Sequence, residues 1–262
     1  MRPRSLRAAS LPRVALFSDV DGTLLDASDR LALTPDQVAA LAPQVDLILA
    51  SSRTLVELAA VQRRLGLSAP MVAEHGAVVS FPAGWRGMRT TRRTIEVLGE
   101  KAARLVPRIH RCAAEVGVRI MNQKRLLPDG GRSLRRSHSV CLLDWKERSA
   151  EVFIDCLTSS GLSASRSGRW ITITSGPDKK TGVRAVLDRA RTLGAPFQKV
   201  VAIGNAANDV PLLSAARHRF AVRNRDGHHP ELRAIDRVHL LPSSGIRAWQ
   251  ETLDMILPTR RP

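Results

Sequence analysis

The 262-residue chain has no tyrosine, five phenylalanines and four tryptophans, so aromatic residues make up 3% of it. Proteins that grip single strands or RNA stack bases on aromatic rings, and this chain offers few such platforms. It has no run of 18 apolar residues, which excludes a helix spanning a bilayer. Three cysteines, Cys112, Cys141 and Cys156, stand among apolar neighbours without metal-type spacing. Read as buried thiols they require no oxidising compartment, and a cytoplasmic location is expected. Acid is scarce as well, with 24 Asp and Glu against 41 Lys and Arg, a formal net charge of +17. Charge alone does not choose between a nucleic acid and a small anion as partner. The shortage of rings makes nucleic acid the poorer choice.

What is present is the composition of a globular protein, 44% hydrophobic and 25% charged. A chain of this length buries roughly three quarters of its unfolded surface. One domain, or one with a large insertion, is expected. Residues 1–12 carry Arg2, Arg4 and Arg7 with no acid and no apolar run, and read as a basic tail.

Strand and helix signals then alternate as they do in a parallel-sheet protein. Val14 to Ser18 reads as a buried strand. Thr34 followed by Pro35 starts a helix, Leu47 to Ala50 is a second strand, and a second helix closes at Gly66. The texture changes near Pro82. Apolar spacings of three, four and seven predict one amphipathic helix from Thr94 to Val116. Strands at Val118 to Met121 and Ser139 to Leu143 follow, then a helix from Lys146 to Ser159 and strands near Leu162 to Ser165 and Trp170 to Thr174. This αββαββ unit, residues 82–175, is read as inserted into a core formed by 13–81 and 176–262.

Four segments carry chemistry. Asp19-Val-Asp-Gly-Thr23 follows a buried strand, so Asp19 and Asp21 lie in the crevice where open α/β sheets bind ligands, and Gly22 lets the backbone approach closely. Ala50-Ser-Ser-Arg53 ends the second strand, where the Ser51 hydroxyl can donate to a phosphate oxygen or cap a helix. Asp178-Lys-Lys-Thr-Gly182 opens the helix returning from the insertion. A lysine held there offsets the repulsion between carboxylates and a phosphate dianion. Gly204-Asn-Ala-Ala-Asn-Asp209 ends a third strand and brings oxygen-bearing side chains of the type that bind Mg²⁺.

In order and spacing these segments resemble the haloacid dehalogenase superfamily of phosphatases: DVDGT, the serine of LASSRT, the lysine of DKKTGVRAVL, and GNAAND. Glu74-His-Gly-Ala77 and Arg219-Phe-Ala-Val-Arg-Asn224 are similar to supporting segments of the same superfamily. The resemblance implies an α/β fold with a Rossmann-like parallel sheet core and an inserted α+β cap. Ser167-Gly-Arg-Trp170, Leu134-Arg-Arg-Ser137 and Gly245-Ile-Arg-Ala-Trp249 resemble the mannosyl-3-phosphoglycerate phosphatase and sucrose-phosphatase branch. It further implies Asp19 as nucleophile, Asp21 as acid and base, and Lys179 as the catalytic cation. Ser51, Asn208 and Gly22 would bind phosphate. Mg²⁺ would sit among Asp19, the Asp21 carbonyl and Asn205, supported by Asp209. The implied substrate is a phosphorylated sugar or glycosyl-phosphoglycerate. Sucrose or trehalose phosphate, and a pseudophosphatase that only binds, are the alternatives.

The chain departs from the superfamily at 205, where Asn replaces the first Asp of GDxxND, a change that removes a negative charge and weakens Mg²⁺ binding. Ser52 and Lys180 stand where glycine is usual, and Lys180 competes with Lys179 as the catalytic lysine. Residues 82–172 hold 18 Lys and Arg against 8 Asp and Glu. A basic lid of this kind draws in a small anionic phosphorylated substrate, with Arg136 and Arg169 as expected contacts to a second anionic group.

Overall fold

The computed structural model describes residues 13–120, 136–145, 147–167 and 170–257. In chain order the elements are β1 (Val14–Ser18), α1 (Pro35–Leu41), β2 (Val45–Ala50), α2 (Leu55–Leu65), β3 (Met71–Ala73), β4 (Val78–Phe81) and β5 (Thr94–Val97). The insertion adds α3 (Ala102–Val116), β6 (Val140–Leu143), α4 (Arg148–Ser159), β7 (Ser163–Ser167) and β8 (Trp170–Thr174). The chain then returns through α5 (Lys179–Thr192), β9 (Lys199–Gly204), α6 (Val210–Ser214), β10 (His218–Ala221), α7 (Pro230–Arg233), β11 (Val238–Leu240) and α8 (Gly245–Ile256).

An eight-stranded sheet runs β11-β10-β9-β1-β2-β3-β4-β5. It is parallel from β11 to β3, whereas β4 and β5 pair antiparallel. Every residue of β1 is buried, as expected of a strand covered on both faces. Its period of two divides the core: Val14 and Leu16 join the α8 face, Ala15 and Phe17 the α5 face. Among the described residues, β6, β8 and β7 form a separate antiparallel sheet, whose Leu142, Ile171 and Ile173 pack with Leu105 and Ile109 of α3 and Phe153 of α4. No helix among the described residues is long and apolar enough to cross a membrane.

Thr34 caps α1 as expected, in a reciprocal box with Gln37, and α2 ends at Gly66 with φ 63°. The helix expected from Thr94 to Val116 is corrected. Thr94–Val97 is an edge strand of the larger sheet, and the helix starts only at Ala102. β-branched Thr94, Ile95 and Val97 favour extended backbone. Gly99 interrupts the periodicity because a Cβ there would sit 2.9 Å from that of Ala77. Pro107 lies inside α3 without ending it. Residues 118–120 are not in a strand, and Met121, the last residue of the strand expected there, lies outside the described residues.

Candidate active site

β9, β1 and β2 are neighbours, so their carboxyl ends deliver Asn205, Asp19 and Ser51 to one edge of the sheet. α5 supplies the lysine. Asp178 caps that helix in a reciprocal box with Thr181, which fixes Lys179 in its first turn. Gly182 allows the helix to pack tightly, since a Cβ there would lie 2.3 Å from Val72 Cγ1.

Lys179 Nζ donates to Asp19 Oδ1 at 2.5 Å and to Asp209 Oδ1 at 2.6 Å, and its side chain is wholly buried. Burial works against the ammonium charge, but the two carboxylates outweigh it and hold the group above lysine's ordinary value. Burial is also the largest influence on Asp19, followed by Asp209, and together they push its carboxyl up to about 7 against the opposing pull of Lys179. Lys180 is absent from this cluster, so of the two lysines it is Lys179 that lies against both carboxylates.

Asp209 Oδ2 accepts from the Asn205 and Ala206 backbone amides. Both its oxygens are thus engaged, and the residue supports the site from behind. Asn205 Oδ1 accepts from Thr23 Oγ1 at 3.0 Å, while its Nδ2 donates to Asn224 Oδ1 at 2.8 Å. Gly22, at φ 78°, lies against this amide: a Cβ would fall 2.4 Å from Asn205 Nδ2. Asp21 receives Arg53 in a two-pronged ion pair, Nη2 to Oδ1 at 2.6 Å and Nε to Oδ2 at 3.0 Å. Ser51 is buried, and its Oγ accepts from the Arg53 amide, so hydroxyl and turn are held together.

A cavity of about 430 Å³ lies between insertion and core, with His75, Ser165, Arg166, Thr172, Lys179 and Asn208 among its walls. Three of these residues carry buried polar atoms without a hydrogen-bond partner among the described residues, His75 Nε2, Asn208 Oδ1 and Arg166 Nη2. His75 has φ 58°, a left-handed conformation that His, Asn and Asp adopt more readily than most residues. Its turn is fixed on both sides. Gly76 presses on the next passage of chain, where a Cβ would sit 1.8 Å from Asp178 O. Glu74, itself buried, accepts from the amides of Ser137 and His138 and from Ser139 Oγ. Burial, then the charges of Lys179 and Arg136, hold the His75 imidazole well below its ordinary value.

The structure therefore gathers Asp19, Lys179, Asn205, Asn208 and Asp209, with Asp21 and Ser51 on the adjoining strand ends. Arg136 is placed differently. It donates to Ser52 O at 2.6 Å, where the insertion meets the core. Arg169 lies outside the described residues, as do Leu134 and Arg135. Sequence reasoning assigned no role to Arg53, Thr23, Asn224, His75 or Arg166. Of these, Thr23, Arg53, His75 and Asn224 all stand inside segments already singled out.

A family model described as haloacid dehalogenase-like hydrolase matches residues 16–94 and 140–229. Among solved structures, the sucrose-phosphatase from Synechocystis sp. PCC6803, determined with sucrose and phosphate, has a TM-score of 0.65 at 14% identity, covering 94% of this chain and 98% of that one. A phosphatase of the haloalkanoate superfamily from Bacteroides thetaiotaomicron has a TM-score of 0.66 at 18% identity, covering 97% of each chain. At these identities the likeness establishes the fold.

Proposed function

This chain belongs to the haloacid dehalogenase-like hydrolases, and from that premise we propose that it is a Mg²⁺-dependent phosphomonoesterase working through an aspartyl-phosphate. The observation that carries the reading is Lys179 held between Asp19 and Asp209 on the wall of a cavity between insertion and core.

Lys179 occupies Asp19 Oδ1 and leaves Oδ2 for attack on phosphorus. As the new O–P bond forms, the ester O–P bond breaks and the leaving oxygen takes a proton from Asp21. Water then attacks the phosphorus of the acyl phosphate and yields its proton to Asp21, which frees Asp19 and inorganic phosphate. Lys179 offsets the charge that accumulates on the phosphoryl oxygens. The Ser51 hydroxyl and the Asn208 Nδ2 donate to those oxygens and orient them.

The donor set at the three strand ends consists of oxygens alone and suits a hard divalent ion. The Asp19 carboxylate, the Asp21 carbonyl and Asn205 Oδ1 would hold Mg²⁺, with Asp209 fixing the backbone behind them. Once bound, the ion neutralises phosphoryl charge as in other phosphoryl transfers.

The substrate class we favour is a phosphorylated sugar or glycosyl-phosphoglycerate, supported by the hydroxyl-bearing cavity wall of Ser163, Ser165, Thr172 and Thr174 and by the fold shared with a sucrose-phosphatase. The test is phosphate release from a panel of phosphorylated metabolites, with and without a chelator. Wild type is expected to hydrolyse at least one sugar phosphate in a Mg²⁺-dependent manner, and Asp19→Asn to be inert. Release at the wild-type rate by Asp19→Asn would overturn the mechanism.

A further inference from the structure

The insertion contains a cluster that the active site does not use. Cys112 and Glu115 lie on α3, and Cys156 lies on α4. One ligating atom from each falls within 4.8 Å of the other two. Cys156 Sγ donates to Glu115 Oε2 at 3.3 Å, and Cys112 Sγ lies 3.3 Å from Ser160 Oγ. Cys112 and Glu115 share a helix face because they are three residues apart. Cys156 meets them only through helix packing, so the sequence shows no metal-type spacing.

We propose that Cys112, Cys156 and Glu115 form a binding site for a zinc-class divalent ion that staples α3 to α4. Two sulfurs and a carboxylate oxygen are the donor types zinc accepts, and water completes four-coordination. The carboxylate distinguishes this arrangement from a disulfide in waiting. Beside a cation it becomes a third anionic ligand. Binding converts two S–H groups into two metal–sulfur bonds and releases both protons to solvent, while ionised Glu115 contributes a lone pair. Cys112 faces the buried side and Cys156 is half-buried, which leaves the ion a route of entry. The staple lies beside the apolar cluster of the insertion, so its contribution is to stability.

The experiment uses the full chain, reduced and stripped of metal by a chelator, then titrated with Cd²⁺ in the presence of excess Mg²⁺. The ultraviolet thiolate-to-cadmium transition reports only sulfur ligation, which separates this site from the oxygen donors around Asp19. Saturation is expected at about one ion and about two protons released per chain, with a rise in melting temperature. Cys156→Ser should abolish the transition. Glu115→Gln should weaken binding by more than the roughly ten- to hundredfold that loss of an outer-shell partner costs. Cys141→Ser should bind as wild type does. Absence of the transition in wild type, its survival in Cys156→Ser, or a Cys112–Cys156 disulfide in protein purified without reductant would each overturn the assignment.

Discussion

Asn205 and Asn224 hold each other by both ends of one side chain. Asn205 Nδ2 donates to Asn224 Oδ1, and Asn224 Nδ2 returns a bond to the Asn205 carbonyl, each at 2.8 Å. The pair requires an amide nitrogen at 205. An Asp there adds the charge that a Mg²⁺ site favours, but sets oxygen against oxygen at Asn224. Asn205→Asp is therefore expected to lower the Mg²⁺ concentration for half-maximal activity while costing about 1–3 kcal/mol of metal-free stability. Mg²⁺ titration of phosphate release and thermal melting with chelator read the two effects separately. An unchanged Mg²⁺ requirement removes Asn205 from the ion's ligands.

Lys179 lies between two carboxylates that are themselves almost wholly buried. Removing it leaves buried charge without compensation, a loss of about 3–5 kcal/mol. Lys179→Met should unfold at markedly lower urea and hydrolyse no substrate, since Asp19 loses the neighbour that favours its ionised form. Unfolding at the wild-type urea concentration would show the pair to be energetically idle.

His75 is buried beside Lys179 with its imidazole held well below the ordinary value. The unfolded chain takes up a proton there near pH 6.5 and the folded one resists, so the unfolded state binds more protons as acidity rises. Stability should fall as pH drops below about 6.5, by up to about 1.4 kcal/mol per unit. His75→Asn tolerates the same left-handed backbone and should flatten that slope. It should also raise KM for a sugar phosphate more than KM for p-nitrophenyl phosphate, because only the sugar offers hydroxyls to the cavity wall. Equal changes for both esters would assign His75 to structure alone.

Glu74 accepts three hydrogen bonds from residues 137–139 while buried in the core. Glu74→Gln keeps the shape but turns an NH₂ toward a donor, leaving at least one of the three donors unpaired. A loss of about 1–3 kcal/mol is expected by chemical denaturation. Faster amide hydrogen exchange at Ser137 and His138 should accompany it, and unchanged exchange there would argue against these bonds.

The strand ends were legible because β1 and β2 combine buried apolar runs with polar termini, and adjacency in a parallel sheet turns those termini into one site. Lys179 could be chosen on alignment, but its contact with both Asp19 and Asp209 depends on how closely α5 packs through Gly182. β5 hides in a helical pattern because Ile95, Leu98 and Ala102 share helical spacing, which is blind to the close approach of Gly99 and Ala77. Short β3 and β4 lack the length to produce a period and went unassigned. Glu74, Arg53 and Asn224 act through partners distant in sequence, and no local pattern records such pairings. The thiol cluster escaped for the same reason, since α3 and α4 converge only in three dimensions.

The Trp249 indole in α8 donates to the Thr23 carbonyl at 3.1 Å and packs in the cluster that holds Val20, Leu24 and Leu25. The loop that bears Asp19 and Asp21 is thus finished by a residue 226 positions later. During synthesis at roughly 5–20 residues per second, the two are separated by roughly ten to fifty seconds. A nascent chain already carrying Asp19, Lys179 and Asn208 still lacks the indole that closes its first loop. The loop that bears Asp19 and Asp21 therefore gains this closing bond only after α8 has been synthesised, long after the loop itself.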